Sequence, residues 1–469
     1  MRADFGFSTC QDLNLRNISK LKNYGGINFK NCYTSCPQCV PARISWITGK
    51  HPSRWGIQKN EDVDLWSDAP SFMRKLRDTG WETKLIGKTH WTSHRHPKDL
   101  RTEKDFNKTL GIDHIIEVAG PRALRHIRCE LTDLWEENHL RENYITDLKN
   151  RYDENILDIK AWSVSPTPLP NELYPDIWIG NQAEKMIGKL PENMPWVLWV
   201  SFVGPHEPFD TPKDWSQFNV KNKICENKPP QHWTETLNKN SNQYKQHARW
   251  KGKISKEEIV KLREDYARRC ILLDEQVGKI VQEANKRIDN ERTSVIVTSD
   301  HGEMLGDHGM LYKGNLLQEA IKVPFIYLES LKSLDLKEKG ENIDCPVLST
   351  NILNRIIKKT IKQNIDEKKL TKNNTHACVE YNGDIAIITD KLKCVYDKSG
   401  NVQWCTKIDK DKIETDANIY TNNLQDIMGS KEWDKIERIK DKEMKKRQKD
   451  NWVIRDLRNT MKKSGQNVA

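Results

Sequence analysis

The sequence predicts an α/β fold in which a mostly parallel sheet lies between helices, with a small antiparallel sheet and a helix near the C-terminus. Several short apolar segments run directly into polar residues, as the strands of a buried parallel sheet do. A long amphipathic segment has the spacing of a helix that lies on such a sheet. Beyond residue 370, short strand-like segments alternate with Asn-Gly and Ser-Gly turns, which is typical of antiparallel hairpins.

These patterns divide the 469 residues into a large α/β domain (residues 1–365), a small antiparallel β subdomain (366–430) and a charged tail (431–469). The tail mixes both charge signs and is predicted to be a solvated helix. It holds 13 Lys and Arg against 7 Asp and Glu, and so contributes 6 of the net charge of +10. The remainder is only mildly basic and has no nucleic-acid motif, so we expect no nucleic-acid partner.

Cysteine content and hydropathy leave the compartment open. The 11 cysteines are odd in number and lack the spacing of a disulfide framework, which predicts mostly reduced thiols. No apolar run approaches the length of a transmembrane segment. The first residues also lack the apolar core of a signal peptide. As written, the sequence favours the cytoplasm, and export to the periplasm or the medium remains open.

The most informative segment is CVPARISWITG, residues 39–49. Pro41 suits the first turn of a helix, which would place Cys39 at the helix N-terminus, where partial positive charge favours an anion. Arg43 follows one helical turn later and can hold a nucleophile by charge-assisted hydrogen bonds. The alternative, a redox or zinc site formed by Cys36 and Cys39, lacks a thioredoxin-like context or a second pair of ligands.

This segment resembles the signature of the sulfatases, a branch of the alkaline-phosphatase superfamily. The resemblance implies that Cys39 is oxidised to formylglycine by a separate maturation enzyme and that its hydrate is the nucleophile. It also implies an alkaline-phosphatase-like α/β fold. In sulfatases a strand ending in two acidic or amide metal ligands precedes a segment like RADFG, residues 2–6. That strand is absent from this sequence, and Asp4 matches the later segment rather than the acidic pair.

The next elements lead to a second polar segment. We expect a helix over residues 13–24, a strand around 27–29, a helix from Phe72 that ends at Gly80, and a strand over 82–86. That strand runs into GKTHW, residues 87–91, which is similar to the Gly-Lys-x-His segment of the sulfatases. The resemblance implies that Lys88 binds the sulfate and that His90 supports the nucleophile. On spacing alone, a surface Lys and a half-buried His would be the simpler interpretation.

Two further segments continue the pattern. Residues 92–175 are predicted to be an insertion that shapes the substrate pocket. An apolar run over 196–202 has the composition of a strand buried on both faces and ends at His206, which two prolines flank. By resemblance, His206 is a second sulfate ligand or a proton donor. A structural histidine is the alternative.

The second strong motif follows the long helix predicted over 256–287, whose Cys270 and Asp274 we interpret as structural. A strand over 294–298 runs into SDHGEMLGDHGMLYK, residues 299–313. A carboxylate and an imidazole side by side after a strand can reach one cation, and this donor mixture is compatible with Ca²⁺, Mg²⁺ or Mn²⁺. The resemblance implies that Asp300 and His301 bind metal, with Ca²⁺ favoured and Cys39 completing the site, and that Lys313 binds the sulfate.

Together, these segments imply a sulfuric ester hydrolase that acts on a small-molecule or carbohydrate sulfate ester. Some sulfatases carry Asn where His301 stands, and His is commoner in the related phosphonate and phosphate monoester hydrolases. A hydrolase of that kind is one alternative. A truncated, inactive sulfatase-like protein is the other, since half of the expected metal ligands are missing. Glu303, Asp307 and His308 are expected to be outer or surface groups.

Overall fold

In the computed structural model, the described residues are 1–6, 13, 15–60, 65–94, 96–152, 160–220, 226–362, 375–408, 414, 419–420 and 424–463. The helices are α1 (Arg16–Asn23), α2 (Cys39–Thr48), α3 (Phe72–Arg77), α4 (Lys104–Thr109), α5 (Glu130–Glu137), α6 (Arg141–Tyr152), α7 (Pro175–Ile187), α8 (Lys213–Ser216), α9 (Asn242–Trp250), α10 (Lys256–Asn285), α11 (Gln318–Ile321), α12 (Lys332–Leu336), α13 (Ser349–Lys362), α14 (Leu424–Met428) and α15 (Ser430–Lys463).

The strands are β1 (Gly26–Phe29), β2 (Cys32–Tyr33), β3 (Glu82–Gly87), β4 (Lys98–Asp99), β5 (His114–Glu117), β6 (Ile127–Arg128), β7 (Trp196–Ser201), β8 (Val295–Thr298), β9 (Phe325–Leu328), β10 (Glu341–Ile343), β11 (Val347–Leu348), β12 (Ala377–Tyr381), β13 (Asp384–Ile388), β14 (Leu392–Tyr396), β15 (Val402–Lys407) and β16 (Ile419–Tyr420). The predicted α/β class is confirmed. The helix expected over residues 13–24 is shorter, since α1 begins at Arg16.

The large domain contains two principal sheets. One is parallel, with strand order β5-β3-β7. The other is mixed, with order β10-β1-β9-β8, in which β9 runs antiparallel to both of its neighbours. The long helix α10 packs against α7 and α1, and Asp274 on α10 accepts hydrogen bonds from the first backbone N–H groups of α1. Asp274 is therefore structural, as predicted, and Cys270 is fully buried.

One expectation about the sheet is wrong. Residues 196–202 were predicted to form a strand buried on both faces, yet the side chains of Trp196 to Val200 in β7 are only half-buried, as are those of β8. The reason is that β7 and β8 are end strands of separate sheets, and among the described residues nothing pairs with their outer edges. Their C-terminal ends nevertheless meet, because Arg43 bonds both Ser201, the last residue of β7, and Asp300, which follows β8.

The C-terminal part contains the expected antiparallel sheet, in the order β12 to β16. Cys394 and Cys405 form a disulfide between β14 and β15. The tail differs from the prediction of a solvated helix, because Ile436 of α15 is fully buried against this sheet. Trp433 and Ile439 stand three residues to either side and pack on the same cluster, which gives α15 an apolar stripe. None of the described helices is long and apolar enough to cross a bilayer.

Candidate active site

Cys39 is the first residue of α2, as the position of Pro41 predicted, and its side chain is buried. Its Sγ atom lies 3.0 Å from Nε2 of His301, which is 262 positions later in the chain. The thiol therefore sits at the positive end of a helix dipole. The two motifs identified in the sequence meet at this point.

Arg43 lies one turn further along α2 and points to the same side. Its Nε donates to Oδ2 of Asp300 at 2.8 Å, and its Nη1 donates to the carbonyl of Lys88 at 2.6 Å and to Oγ of Ser201 at 2.8 Å. One guanidinium thus fixes the ends of β3, β7 and β8. Burial would raise the pKa of Asp300, but His301 and Arg43 outweigh it and hold the pKa far below its usual range.

Two buried ammonium groups give the site its positive potential. Lys88 follows β3, and Gly87 before it has φ +101°, where a Cβ atom would lie 1.9 Å from the carbonyl oxygen of Ser201. Burial alone would raise the pKa of the Cys39 thiol. Lys88, His301 and Lys313 reverse this effect and hold that pKa well below its ordinary value.

His90 and His206 both interact with the Cys39 thiol. His90 stacks on His94 with ring centroids 4.9 Å apart, and burial followed by the charge of Lys88 lowers its pKa well below the usual value. Nδ1 of His206 lies 3.0 Å from a carboxylate oxygen of Glu207. Burial lowers the pKa of His206, although Glu207 opposes this effect. Each histidine therefore faces the nucleophile position with a burial-depressed pKa.

The predicted metal ligands also converge. One donor atom each from Cys39, Asp300 and His301 lies within 4.8 Å of the others. A carboxylate oxygen, an imidazole nitrogen and one further donor at position 39 fit a divalent cation that keeps water ligands, as Mg²⁺ does. They supply fewer oxygens than the six to eight that Ca²⁺ takes. Asp4 is not in this group, since Arg2 holds both of its carboxylate oxygens.

A family profile described as Sulfatase matches residues 1–346. The chain belongs to the sulfatase family. Among curated relatives, the arylsulfatase of Clostridium perfringens is 25% identical over 331 residues, which are 68% of this chain and 64% of that protein. The choline-sulfatase of Rhizobium meliloti is 26% identical over 307 residues, 64% of this chain and 54% of that protein. The sulfatase chain thus spans between about half and two thirds of the length of these relatives.

Solved structures match the sulfatase chain over almost its whole length. A phosphonate monoester hydrolase from Silicibacter pomeroyi aligns with a TM-score of 0.67, covering 94% of this chain and 93% of that one at 14% identity. A structure described as a complex with its substrate D-glucosamine-2-N,6-O-disulfate aligns with a TM-score of 0.58, covering 93% of both chains at 15% identity. At these identities the matches establish the fold.

Sequence reasoning missed Glu207 and Ser201, both of which contact predicted site residues. Glu207 lies 3.3 Å from the ammonium of Lys313 as well as beside His206. Burial would raise the pKa of Glu207, but His206 and Lys313 lower it to about 2. The only available signal for Glu207 was its position next to His206 between two prolines. No sequence signal marked Ser201.

The residues expected to be outer or surface groups are all buried. Asp307 pairs with Arg2 at 2.6 Å. Burial raises the pKa of Glu303, and the charge of Lys313 opposes this shift. His308 lies near Glu319 and Glu414, and these three side chains form a second group with donor atoms within 4.8 Å. The two carboxylates are already paired, Glu319 with Lys228 and Glu414 with Lys393. We therefore interpret this second group as a buried ion-pair network of the sulfatase.

Proposed function

We propose that this sulfatase hydrolyses sulfate esters of small molecules or carbohydrates, with formylglycine derived from Cys39 as the nucleophile. The observation that carries the proposal is the convergence of Lys88, Lys313 and two histidines on the side chain at position 39. Buried cations aimed at one point favour a transferring group that bears negative charge, and such preorganised charge is usually the largest catalytic contribution.

Each side chain has a role that follows from its position. Lys88 and Lys313 bind the sulfate oxygens and neutralise the charge that develops on them during transfer. Glu207 orients His206 and favours its protonated form against the effect of burial, and in that form His206 can give a proton to the leaving alcohol. His90 has a depressed pKa, is therefore neutral at pH 7, and is suited to accept a proton at position 39. Arg43 positions the nucleophile and Asp300 together.

Two groups complete the proposed site. Asp300, His301 and the residue at position 39 would hold a divalent metal ion, which supplies Lewis-acid polarisation of the ester. Formylglycine at position 39 supplies an oxygen nucleophile in its hydrated form. Its formation requires a separate maturation enzyme, which makes that enzyme a proposed partner. Ca²⁺ was favoured by the sequence resemblance, but the three donors present supply fewer oxygens than Ca²⁺ takes and are better suited to Mg²⁺ or Mn²⁺.

Phosphonate or phosphate monoester hydrolysis is the competing activity. It is favoured by His301, since His at this position is commoner in hydrolases of that kind. The two activities share a fold and the same cationic pocket, so the substrate assay has to include both. p-Nitrophenyl sulfate, p-nitrophenyl phosphate and a p-nitrophenyl phosphonate ester differ only in the transferring group. We expect the highest kcat/KM for the sulfate.

The deciding experiment combines a peptide map with these assays on protein isolated from its own host. We expect the peptide that contains position 39 to have the mass of the aldehyde form, and Cys39→Ala to abolish sulfate release. Cys345→Ala, at a half-buried cysteine outside the two motifs, is the matched control and should retain the activity. A plain thiol at position 39 in protein without sulfatase activity would contradict the proposal, as would full activity of Cys39→Ala.

A further inference from the structure

The loop that follows β5 reaches the rim of the active site. β5 runs parallel to β3, so the two strands end at the same edge of the sheet. A Cβ atom placed on Gly120 in this loop would lie 3.5 Å from Nζ of Lys88. The backbone at Gly120 therefore lies beside a proposed sulfate-binding group, and the side chain two residues later reaches Glu207.

That side chain is Arg122. Its Nη1 lies 3.6 Å from Oε1 of Glu207, whose other oxygen lies 3.3 Å from the ammonium of Lys313. One carboxylate thus separates Arg122 from Lys313. The carboxylate and the ammonium are enclosed, with 6% and 9% of their side chains exposed, whereas Arg122 is 45% exposed. Of the two cations that flank Glu207, the guanidinium of Arg122 is the one accessible to solvent.

Arg122 is also held in a fixed orientation. Its Cζ atom lies 4.3 Å from the ring centroid of Tyr152, within the range of a cation–π contact. At 3.6 Å the approach to Glu207 is an ion pair without a hydrogen bond. Within the described part of the chain, Arg122 makes no hydrogen bond, although a guanidinium carries five N–H donors. Its planar donors are available for a bidentate acceptor.

Two phenol groups near Glu207 lack partners as well. The hydroxyls of Tyr152 and Tyr312 are both buried and have no hydrogen-bond partner in the described structure. Burial, followed by the charge of Glu207, raises the pKa of each, so both remain protonated and can donate. Buried hydroxyls without a partner are uncommon, and they indicate a missing acceptor. Tyr312 directly precedes Lys313, which places this deficit beside the sulfate pocket.

The charges near Glu207 suggest what the acceptor is. If Lys88 and Lys313 take the sulfate that is cleaved, Arg122 is left as a cation whose one carboxylate partner among the described residues, Glu207, is shared with Lys313. An additional oxyanion would give Arg122 a bidentate partner and would accept from the nearby phenols.

We propose that Arg122, with Tyr152 and Tyr312, forms a subsite for a second oxyanion, a carboxylate or a sulfate, on the sugar whose sulfate ester is cleaved. This proposal rests on the proposed function, because it takes Lys88 and Lys313 as the ligands of the first sulfate. It assigns substrate selection to the loop that follows β5. The substrate class it predicts is a doubly anionic sulfated sugar.

The test measures binding in the Cys39→Ala background by titration calorimetry, so that turnover is not needed. The probes are N-acetylglucosamine 6-O-sulfate with one anionic group, glucosamine 2-N,6-O-disulfate with a second sulfate, and a 2-O-sulfated hexuronic acid with a carboxylate. We expect at least one doubly anionic sugar to bind tenfold or more tightly than the monosulfate, and the two probes distinguish sulfate from carboxylate. Arg122→Gln should reduce that preference to threefold or less.

Arg125→Gln is the matched control, because Arg125 belongs to the same loop and makes no ion pair within the described residues. It should leave the preference unchanged. Tyr152→Phe and Tyr312→Phe should each weaken binding of the doubly anionic sugar by a few fold. A thermal melt verifies that each variant folds. Equal affinity for all three sugars, no binding of any of them, or a preference that survives Arg122→Gln would overturn the proposal.

Failure of this subsite is distinguishable from failure of the proposed function. The former is measured as sugar affinity, and the latter as sulfate release from p-nitrophenyl sulfate by the protein with an intact position 39. A protein that cleaves the aryl ester but shows no preference for a second anion retains its proposed activity and loses the subsite. A protein that binds the doubly anionic sugars through Arg122 without any turnover keeps the subsite and loses the activity.

Discussion

Nε of Arg43 donates a hydrogen bond to Oδ2 of Asp300 at 2.8 Å, although the two residues are 257 positions apart in the chain. This contact joins the helix that carries Cys39 to the loop that carries the predicted metal ligands. The same guanidinium also reaches the ends of β3 and β7. Arg43 is therefore a positioning residue for the whole site, and its substitution tests how far the site depends on that geometry.

Arg43→Lys should lower kcat for p-nitrophenyl sulfate by about 100-fold, because an ammonium cannot bond Asp300, Lys88 and Ser201 in the way a planar fork does. Steady-state kinetics and a thermal melt on the same preparation separate loss of geometry from loss of fold. Arg128→Lys, at a side chain 53% exposed, is the control and should have no effect. Wild-type kcat in Arg43→Lys would show that the guanidinium fork is dispensable.

Removal of divalent metal should abolish activity reversibly. Asp300→Asn removes one negative oxygen from the predicted site, so the Kd for added Mn²⁺ or Ca²⁺ should rise by about tenfold or more. Titration calorimetry on chelator-treated protein measures this directly. Asp105→Asn alters a carboxylate that is 97% exposed and should leave the affinity unchanged. Equal metal affinity in Asp300→Asn and the parent protein would argue against Asp300 as a ligand.

Asp210 should make stability fall as the pH rises. Burial raises the pKa of this carboxyl to about 7, against an ordinary value of 3.8, although Arg269 and Arg151 oppose the shift. Between these values the folded protein keeps the proton and the unfolded chain has lost it, so the stabilisation is complete below 3.8 and is lost as the pH approaches 7. The Tm of Asp210→Asn should therefore fall by less than the Tm of the parent protein between pH 5 and pH 7.

Calorimetric melts at the two pH values test this expectation, with Asp78→Asn as the control at a carboxylate 61% exposed. The control should follow the parent protein. If Asp210→Asn and the parent protein lose the same Tm over this range, Asp210 is already ionised in the folded state.

Ile436→Ala should destabilise the protein by about 2–5 kcal/mol, because the side chain is fully buried between α15 and the antiparallel sheet. Denaturant unfolding measures the change in free energy. Ile288→Ala removes the same atoms from a side chain that is 80% exposed and should change stability by less than about 0.5 kcal/mol. A negligible effect of Ile436→Ala would restore the sequence-based prediction that the tail is a solvated helix.

The sequence was sufficient for those features that depend on local patterns. Pro41 predicted that Cys39 begins a helix, and the periodicity of residues 256–287 predicted α10 to within two residues at its end. The resemblance of the motifs to those of the sulfatases, rather than their spacing alone, pointed to Lys88, His206 and His301, which lie around Cys39. By contrast, the apolar stripe on α15 was obscured by the many charges of the tail, which dominate its composition.

The sequence by itself determined the α/β class and the start of a helix at Cys39, and its resemblance to the sulfatases predicted that Lys88, His206 and Asp300 belong to one site. The tertiary structure alone decided that Arg43 ties these segments together, that Glu207 links His206 to Lys313, and that Arg122 reaches the pocket rim. The physical reason is the separation along the chain between the residues that interact. Helix caps and strand periodicity depend on neighbouring residues, whereas an ion pair depends on which distant loops the folded sheet brings to the same edge.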